Sequence, residues 1–209
     1  MQIAILLFDR FTALDAVGPY EILHRVPGVE TVFVAEDAGP VNNDSGSLSL
    51  VVRKTLAEVT APDVLVVPGG PGQRAHMTNE PLLDWLRAVD ATTTWTTSVC
   101  TGSLLLAAAG LLTGRRATSH WLALDMLRTY GAEPTGERVV TDGKYVTSAG
   151  VSSGIDMGLT LTASLVDDRF AQSVQLLTEY DPQPPFDAGS PAKAPSDLVA
   201  ELRAKGRRA

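Results

Sequence analysis

Short β-branched or apolar runs alternate along the chain with longer stretches of helical periodicity, the pattern of a parallel sheet covered by helices on both faces. The strand candidates are "IAILLF" (residues 3–8), "VETVFVAE" (29–36), "DVLVVPGG" (63–70) and "TWTTSVC" (94–100). Between them, "GPYEILHRV" and "NEPLLDWLRAVDA" read as helices, the second with Pro81 near its start, where a missing backbone donor costs little. "SLLLAAAGLL" is almost wholly apolar, which predicts a helix buried in the middle of the fold, with Gly110 near its end. "SHWLALDMLRTYG" reads as a further helix closed by Gly131. In "ERVVTDGKYVTSAG", Asp142 and Gly143 stand between two alternating runs, which predicts a hairpin with a type I′ turn. "GIDMGLTLTASLVDD" opens the next long helix. From Tyr180 to Pro195 the chain is Pro-rich and should run extended over a surface, this subunit's own or a partner's.

Composition narrows this α/β reading. With 209 residues, 44% of them hydrophobic, the chain can bury one large core, and no boundary divides it, so residues 1–209 read as a single domain. Residues 180–209 supply its arm and C-terminal helix. A net charge of -7 argues against a nucleic-acid binder, which needs Lys and Arg in excess over a whole face. The basic cluster in "ELRAKGRRA" reads as a solvated helix end. The opening "MQIAILLFDRF" is too short to span a bilayer and lacks a basic leader and cleavage site, so no membrane segment is expected. A single cysteine forms no disulfide within the chain, which favours the cytoplasm.

That cysteine is also the first candidate for chemistry. Ser98-x-Cys100-x-Gly102 falls at a strand-to-helix junction and has the layout of a nucleophile elbow, where small neighbours tolerate a sharp turn that lifts the side chain above the sheet. A following helix would bring partial positive charge and free N–H groups to a thiolate. The competing reading is an inert buried thiol. Gly69 and Gly70 in "VVPGGPG" follow a strand end, where an open sheet binds ligands and backbone N–H groups can face developing negative charge. The spacing fits neither a phosphate loop nor a dinucleotide site, and a plain turn is the rival.

Asp15 lies just after the first strand, on the same sheet edge as Cys100 if the strands are parallel. With Thr12 three residues before it, it also looks like a capping box, which would depress its pKa; catalysis would want it protonated or sharing a proton. His120 is the one histidine near a suitable strand end and could pair with the thiol, or be a packed core residue beside Trp121. His24 and His76 fall in surface helix and loop positions. Three scattered histidines and one cysteine offer no metal-ligand spacing.

Taken together, "LDAVGPYEIL", "VVPGGPG", "TSVCTGSLLLAAAGLLTGRRATSHW", "GVSSGIDMGL" and "EYDPQPPFDAGSP" resemble the ThiJ/PfpI branch of the class I glutamine amidotransferase-like superfamily, over nearly the whole chain and most closely its isocyanide-hydrating members. The resemblance implies a flavodoxin-like sandwich, a homodimer, no cofactor, and hydration of a small-molecule isocyanide to an N-substituted formamide through a cysteine thioimidate. It implies Cys100 as nucleophile, Asp15 as acid/base partner and Thr101 as a hydrogen-bonding neighbour. Gly69, Gly70, Gly102, His120 and Val151 would surround the substrate, with Gly70 turning its N–H to the elbow. Amidotransferases carry a Glu two residues after the triad histidine; Leu122 stands there, which argues against glutamine hydrolysis. Regulators that borrow the domain continue into a helix-turn-helix, for which too few residues follow here. A non-enzymatic small-molecule or redox sensor, and a glyoxalase- or deglycase-like relative, are the remaining readings.

Overall fold

The computed structural model describes residues 1–206. In chain order its strands are β1 (Gln2–Leu6), β2 (Glu30–Ala35), β3 (Gly39–Asn42), β4 (Ser49–Val52), β5 (Lys54–Thr55), β6 (Val64–Val67), β7 (Trp95–Val99), β8 (Arg116–Ala117), β9 (Glu133–Pro134), β10 (Val139–Asp142) and β11 (Tyr145–Ser148). The helices are α1 (Ala13–Leu23), α2 (Gln73–His76), α3 (Glu80–Asp90), α4 (Gly102–Ala108), α5 (Met126–Thr129), α6 (Ser153–Leu165), α7 (Asp168–Leu177) and α8 (Ser196–Gly206).

The main sheet has the order β10-β11-β7-β6-β1-β2-β5, parallel except for β10. Counting only β1, β2, β6, β7 and β11 in sequence, this is the 2-1-3-4-5 order of the flavodoxin-like fold. The apolar runs explain why: every residue of β6, "VLVV", is buried, as a strand covered on both faces requires. Helix α3 shows the complementary pattern. Leu82, Leu83, Trp85, Leu86 and Val89 form one buried stripe, Pro81 occupies the first turn, and the Trp85 indole N–H donates to the carbonyls of Leu56 and Val59. Helix α1 packs on α6 and α6 on α7, while α2, α3 and α5 pack around α4. Among the described residues no helix is long and apolar enough to cross a membrane.

The strand order reverses between β1 and β6, which opens a crevice at their carboxyl ends. The loops after β1, β6 and β7 all emerge there, carrying Asp15, Gly69-Gly70 and Cys100 respectively.

Two expectations needed correction. The helix anticipated over residues 119–131 is reduced to α5, preceded by turns. Ser119 is tied to the Cys100 carbonyl through its hydroxyl, and the His120 ring accepts the Leu122 N–H, a side-chain bond that competes with helical pairing. The hairpin forms, but Asp142 pairs with Tyr145, so Gly143 and Lys144 are the central residues. Positive φ occurs at Gly143 alone, at 61°, the signature of a II′ turn rather than I′. The Pro-rich arm is exposed over residues 181–189. It leads into α8, whose last described residue, Gly206, packs against Leu122, while Arg203 lies over the Trp121 ring. In the basic cluster, Lys205 pairs with Glu201 at 2.5 Å, and residues 207–209 lie outside the described residues.

Gly102 determines how closely α4 approaches β6. A Cβ there would meet the Val67 carbonyl oxygen and stand 2.7 Å from that of Pro68, both backbone atoms that cannot turn aside. Gly102→Ala should therefore lower unfolding stability by about 1–3 kcal/mol in chemical denaturation. An unchanged midpoint would mean that the elbow is not pressed against β6.

Candidate active site

Cys100 follows the last residue of β7 with φ at 57°, in the left-handed region that side-chain-bearing residues seldom occupy. The turn is held from both sides. The Cys100 N–H donates to the Ser148 and Ala149 carbonyls at 3.0 and 3.1 Å, and its own carbonyl accepts the Ser103 and Ser119 hydroxyls at 3.2 and 3.1 Å. Such over-determination is what allows an unfavourable backbone to persist at a reactive residue. Only 5% of the residue is exposed, at the floor of a pocket of about 670 Å³.

Asp15 approaches from α1. Its side chain caps nothing: Thr12 at the helix N-cap receives no side-chain hydrogen bond and turns its own hydroxyl to Asp44 at 3.1 Å. Asp15 Oδ2 instead accepts the Gly69 N–H at 2.9 Å, while Oδ1 is buried without an N–H or O–H partner. With the residue 0% exposed, desolvation dominates and pushes the carboxyl up to about 7. The Gly69 N–H and the Cys100 thiol, acting as donors to the carboxylate, pull it down less, and Asp44 pushes it further up.

The thiol shows the same balance with a higher outcome. Burial pushes Cys100 up to about 12 and the Asp15 charge adds to it, outweighing the N–H groups of Thr101 and Val151 that favour the thiolate. The sequence pointed to a helix-activated thiolate. Here α4 has seven residues and its N-terminal field loses to desolvation, so near neutral pH the pair consists of a thiol beside a carboxyl that is part ionised.

The glycines act by omission. A Cβ on Gly69 would stand 2.5 Å from Thr101 N, 2.6 Å from Thr101 Oγ1 and 3.0 Å from Asp15 Oδ2, so only glycine lets β6 reach both partners. Gly70, with φ at 133°, donates its N–H to Thr101 Oγ1 at 3.0 Å. Both N–H groups are thus committed to protein acceptors, not turned to a substrate oxyanion as the sequence suggested.

Cys100, Thr101, Gly70, His120 and Val151 line the pocket; Gly69 and Gly102 are buried beneath its wall. Val151 holds φ at 29° and presents its N–H to the sulfur. His120 makes no hydrogen bond to Cys100. One ring nitrogen takes the Leu122 N–H at 3.3 Å, the ring packs on Gly150, and burial lowers its pKa, which keeps it neutral near pH 7. The group coupled to the thiol is Asp15. His24 stacks on Tyr20 and His76 sits on Phe8, the latter in α2 rather than a surface loop.

Sequence reasoning missed other lining residues, among them Arg10, Gln73, Arg74, Leu104 and Met126, and the structure places Leu122 with them. Arg10 could have been found by the argument that found Asp15, since it also follows β1. Among the described residues no group of three or more His, Cys, Asp or Glu could hold a metal ion.

Comparison with known proteins agrees with this fold. A family model described as DJ-1/PfpI matches residues 1–164. An isonitrile hydratase of Pseudomonas putida is 47% identical over 203 residues, 97% of this chain and 89% of that one. The HTH-type transcriptional regulator CdhR of Pseudomonas aeruginosa is 34% identical over 77% of this chain but only 48% of its own length. A crystal structure of a ThiJ/PfpI family protein from Pseudomonas syringae superposes with a TM-score of 0.92 at 41% identity, covering 98% of this chain and 88% of that one.

The Asp15 shift has a sign that stability measurements can read. A carboxyl whose folded pKa lies at about 7 against 3.8 holds its proton more tightly folded than unfolded, so its contribution is full below about pH 4 and is lost as pH rises toward 7. Asp15→Asn removes that loss and keeps an acceptor for Gly69. Relative to the unaltered protein, its stability should rise by a few kcal/mol between pH 4 and 7 in denaturant titrations. A difference independent of pH would show that Asp15 is not held protonated.

Proposed function

The chain belongs to the DJ-1/PfpI family, and from that premise we propose that it is an isocyanide hydratase, converting an isocyanide and water into an N-substituted formamide. The observation that carries this reading is the pairing of a buried thiol with a buried carboxyl in place of histidine. The 47% identity to a full-length isonitrile hydratase supports it.

The carbon of an isocyanide must gain both a nucleophile and a proton. The Asp15 carboxylate takes the Cys100 proton as sulfur bonds to that carbon, then returns it to the same carbon, giving the thioimidate R–N=CH–S–Cys. The Thr101 and Val151 N–H groups hold the negative charge that passes through sulfur. Water next adds its oxygen to the carbon and a proton to nitrogen, with Asp15 relaying it. Collapse of R–NH–CH(OH)–S–Cys forms the C=O bond, expels sulfur and returns the hydroxyl proton to it. One isocyanide and one water are consumed and one formamide leaves. Thr101, fixed by Gly70, holds the elbow that presents the thiol, and no cofactor takes part.

Cys100→Ala should abolish formamide formation from an aryl isocyanide, followed by loss of the isocyanide infrared stretch. Asp15→Asn should lower the rate by about 10²–10⁴-fold, the worth of general acid–base catalysis. With carboxylate and thiol as the reactive form, kcat/KM of the unaltered protein should rise as pH increases through about 7. Activity in Cys100→Ala, or a profile that falls through pH 7, would overturn the mechanism.

The same reading includes a cytoplasmic homodimer. Exposed apolar side chains on α7 and the arm support the second copy: Leu176, Leu177 and Phe186 are 77%, 76% and 79% exposed. Light scattering at micromolar concentration should give twice the chain mass, and Leu176→Asp/Leu177→Asp should shift it to the monomer; a monomeric unaltered protein would end the dimer proposal.

A further inference from the structure

The pocket above Cys100, at about 670 Å³, is far larger than an isocyano group and one water need, so it has to be shaped for the body of the substrate. Its lining is of two kinds. Leu104, Leu122, Met126 and Val151 are apolar. The loop after β1 adds Arg10 and helix α2 adds Arg74. Neither guanidinium makes an ion pair among the described residues; Arg53, Arg128, Arg169 and Arg203 are likewise unpaired, but of these six only Arg10 and Arg74 line the pocket. Asp9 lies in the same lining but pairs with neither arginine, leaving an excess positive charge on this rim of a chain whose net charge is -7.

The backbone holds these two residues in place. Arg10 sits at φ 63°, a left-handed conformation unfavourable for any residue with a Cβ, yet its N–H is fixed to the Asn42 carbonyl at 2.9 Å. Its carbonyl accepts the Gly72 N–H at 3.2 Å, which ties the start of α2, the helix carrying Arg74, to the loop carrying Arg10. A strained residue retained at a pocket rim, with its charge left unpaired, is suited to a ligand contact rather than to packing.

Building on the isocyanide-hydratase reading, we infer that the substrate bears an anionic group at the end remote from its isocyano carbon, and that Arg10 and Arg74 select for it. The apolar lining accepts the substrate's hydrocarbon body, and the arginines set specificity without touching the reacting atoms.

Two probes of nearly equal size test this: (4-isocyanophenyl)acetate and (4-isocyanophenyl)acetamide, whose methylene insulates the isocyano group from the change in charge. At low ionic strength the unaltered protein should favour the carboxylate in kcat/KM by roughly threefold to thirtyfold, mainly through KM, as expected for two solvent-exposed pairs. The preference should shrink as salt is added. In Arg10→Gln/Arg74→Gln the ratio of the two kcat/KM values should fall to about one, and in Arg10→Glu/Arg74→Glu it should invert; the ratio cancels any general loss of activity. No preference for the carboxylate in the unaltered protein, or the same preference in the Gln variant, would overturn the inference while leaving isocyanide hydration intact. Failure of the unaltered protein to hydrate either probe would strike at the hydratase reading itself, and the inference would fall with it.

Discussion

The desolvation of one carboxyl organises this molecule. Asp15 is carried by the first turn of α1 to a place where water is excluded, and a single backbone N–H, from Gly69, reaches it. A fully ionised carboxylate would be costly there, so the group settles near half-ionisation at neutral pH instead of remaining charged. Several sequence features that look unrelated serve that one arrangement. Gly69 lacks a Cβ so that the turn after β6 can touch both Asp15 and Thr101; Gly102 lacks one so that the elbow can close over the end of β6; Thr12 gives its N–H to the Gly69 carbonyl and so leaves the Asp15 carboxyl out of any helix cap. The flavodoxin-like strand order matters because it sets β1 beside β6 and β6 beside β7, so three loops of distant sequence converge on the same point.

The same desolvation governs the thiol and separates this site from one built on a cysteine and a histidine. In such a pair the imidazole becomes cationic and stabilises a resting thiolate. Here the nearest titrating group becomes negative when it loses its proton, so thiol and carboxyl oppose each other's ionisation. The resting pair therefore keeps one proton beside the sulfur. His120 is excluded from the exchange by the Leu122 N–H on its ring and by a burial that favours the neutral form.

How much of this could be read from the chain depends on whether the cause was local. The parallel sheet was legible because runs such as "VLVV" leave no polar face, and the elbow because Ser98, Cys100 and Gly102 stand at a change from strand to helix periodicity. The proximity of Asp15 to Cys100 followed from both lying after parallel strands. Ionisation was not legible: a helix after Cys100 can be seen in the sequence, but the burial that overrides its field arises from β1, β6 and α1 together. The turns over residues 119–125 were hidden for a related reason. A helical hydrophobic pattern gives no sign that the Ser119 hydroxyl will be taken by the Cys100 carbonyl. Arg10 was within reach of the argument that found Asp15, but its left-handed backbone, bonded to Asn42 and Gly72, has no local signature in the chain.

A buried carboxyl of this kind also limits where the pocket can carry positive charge. A cation close to Asp15 would stabilise the carboxylate, lower its pKa and weaken it as a base. Arginines are the hardest cations to neutralise, so they can be tolerated near such a carboxyl only where solvent screens them. Arg10 and Arg74 are both exposed, in a loop and a short helix that are bonded through the backbone, while Leu104 and Val151 line the pocket alongside Cys100. The proposed substrate would then meet two dielectric environments at once, its charged end in water with the guanidinium groups and its isocyano carbon in the dry floor. There, proton transfer between sulfur, carboxyl and carbon needs no solvent reorganisation, so the charge that would aid binding is kept from the place where it would spoil the base.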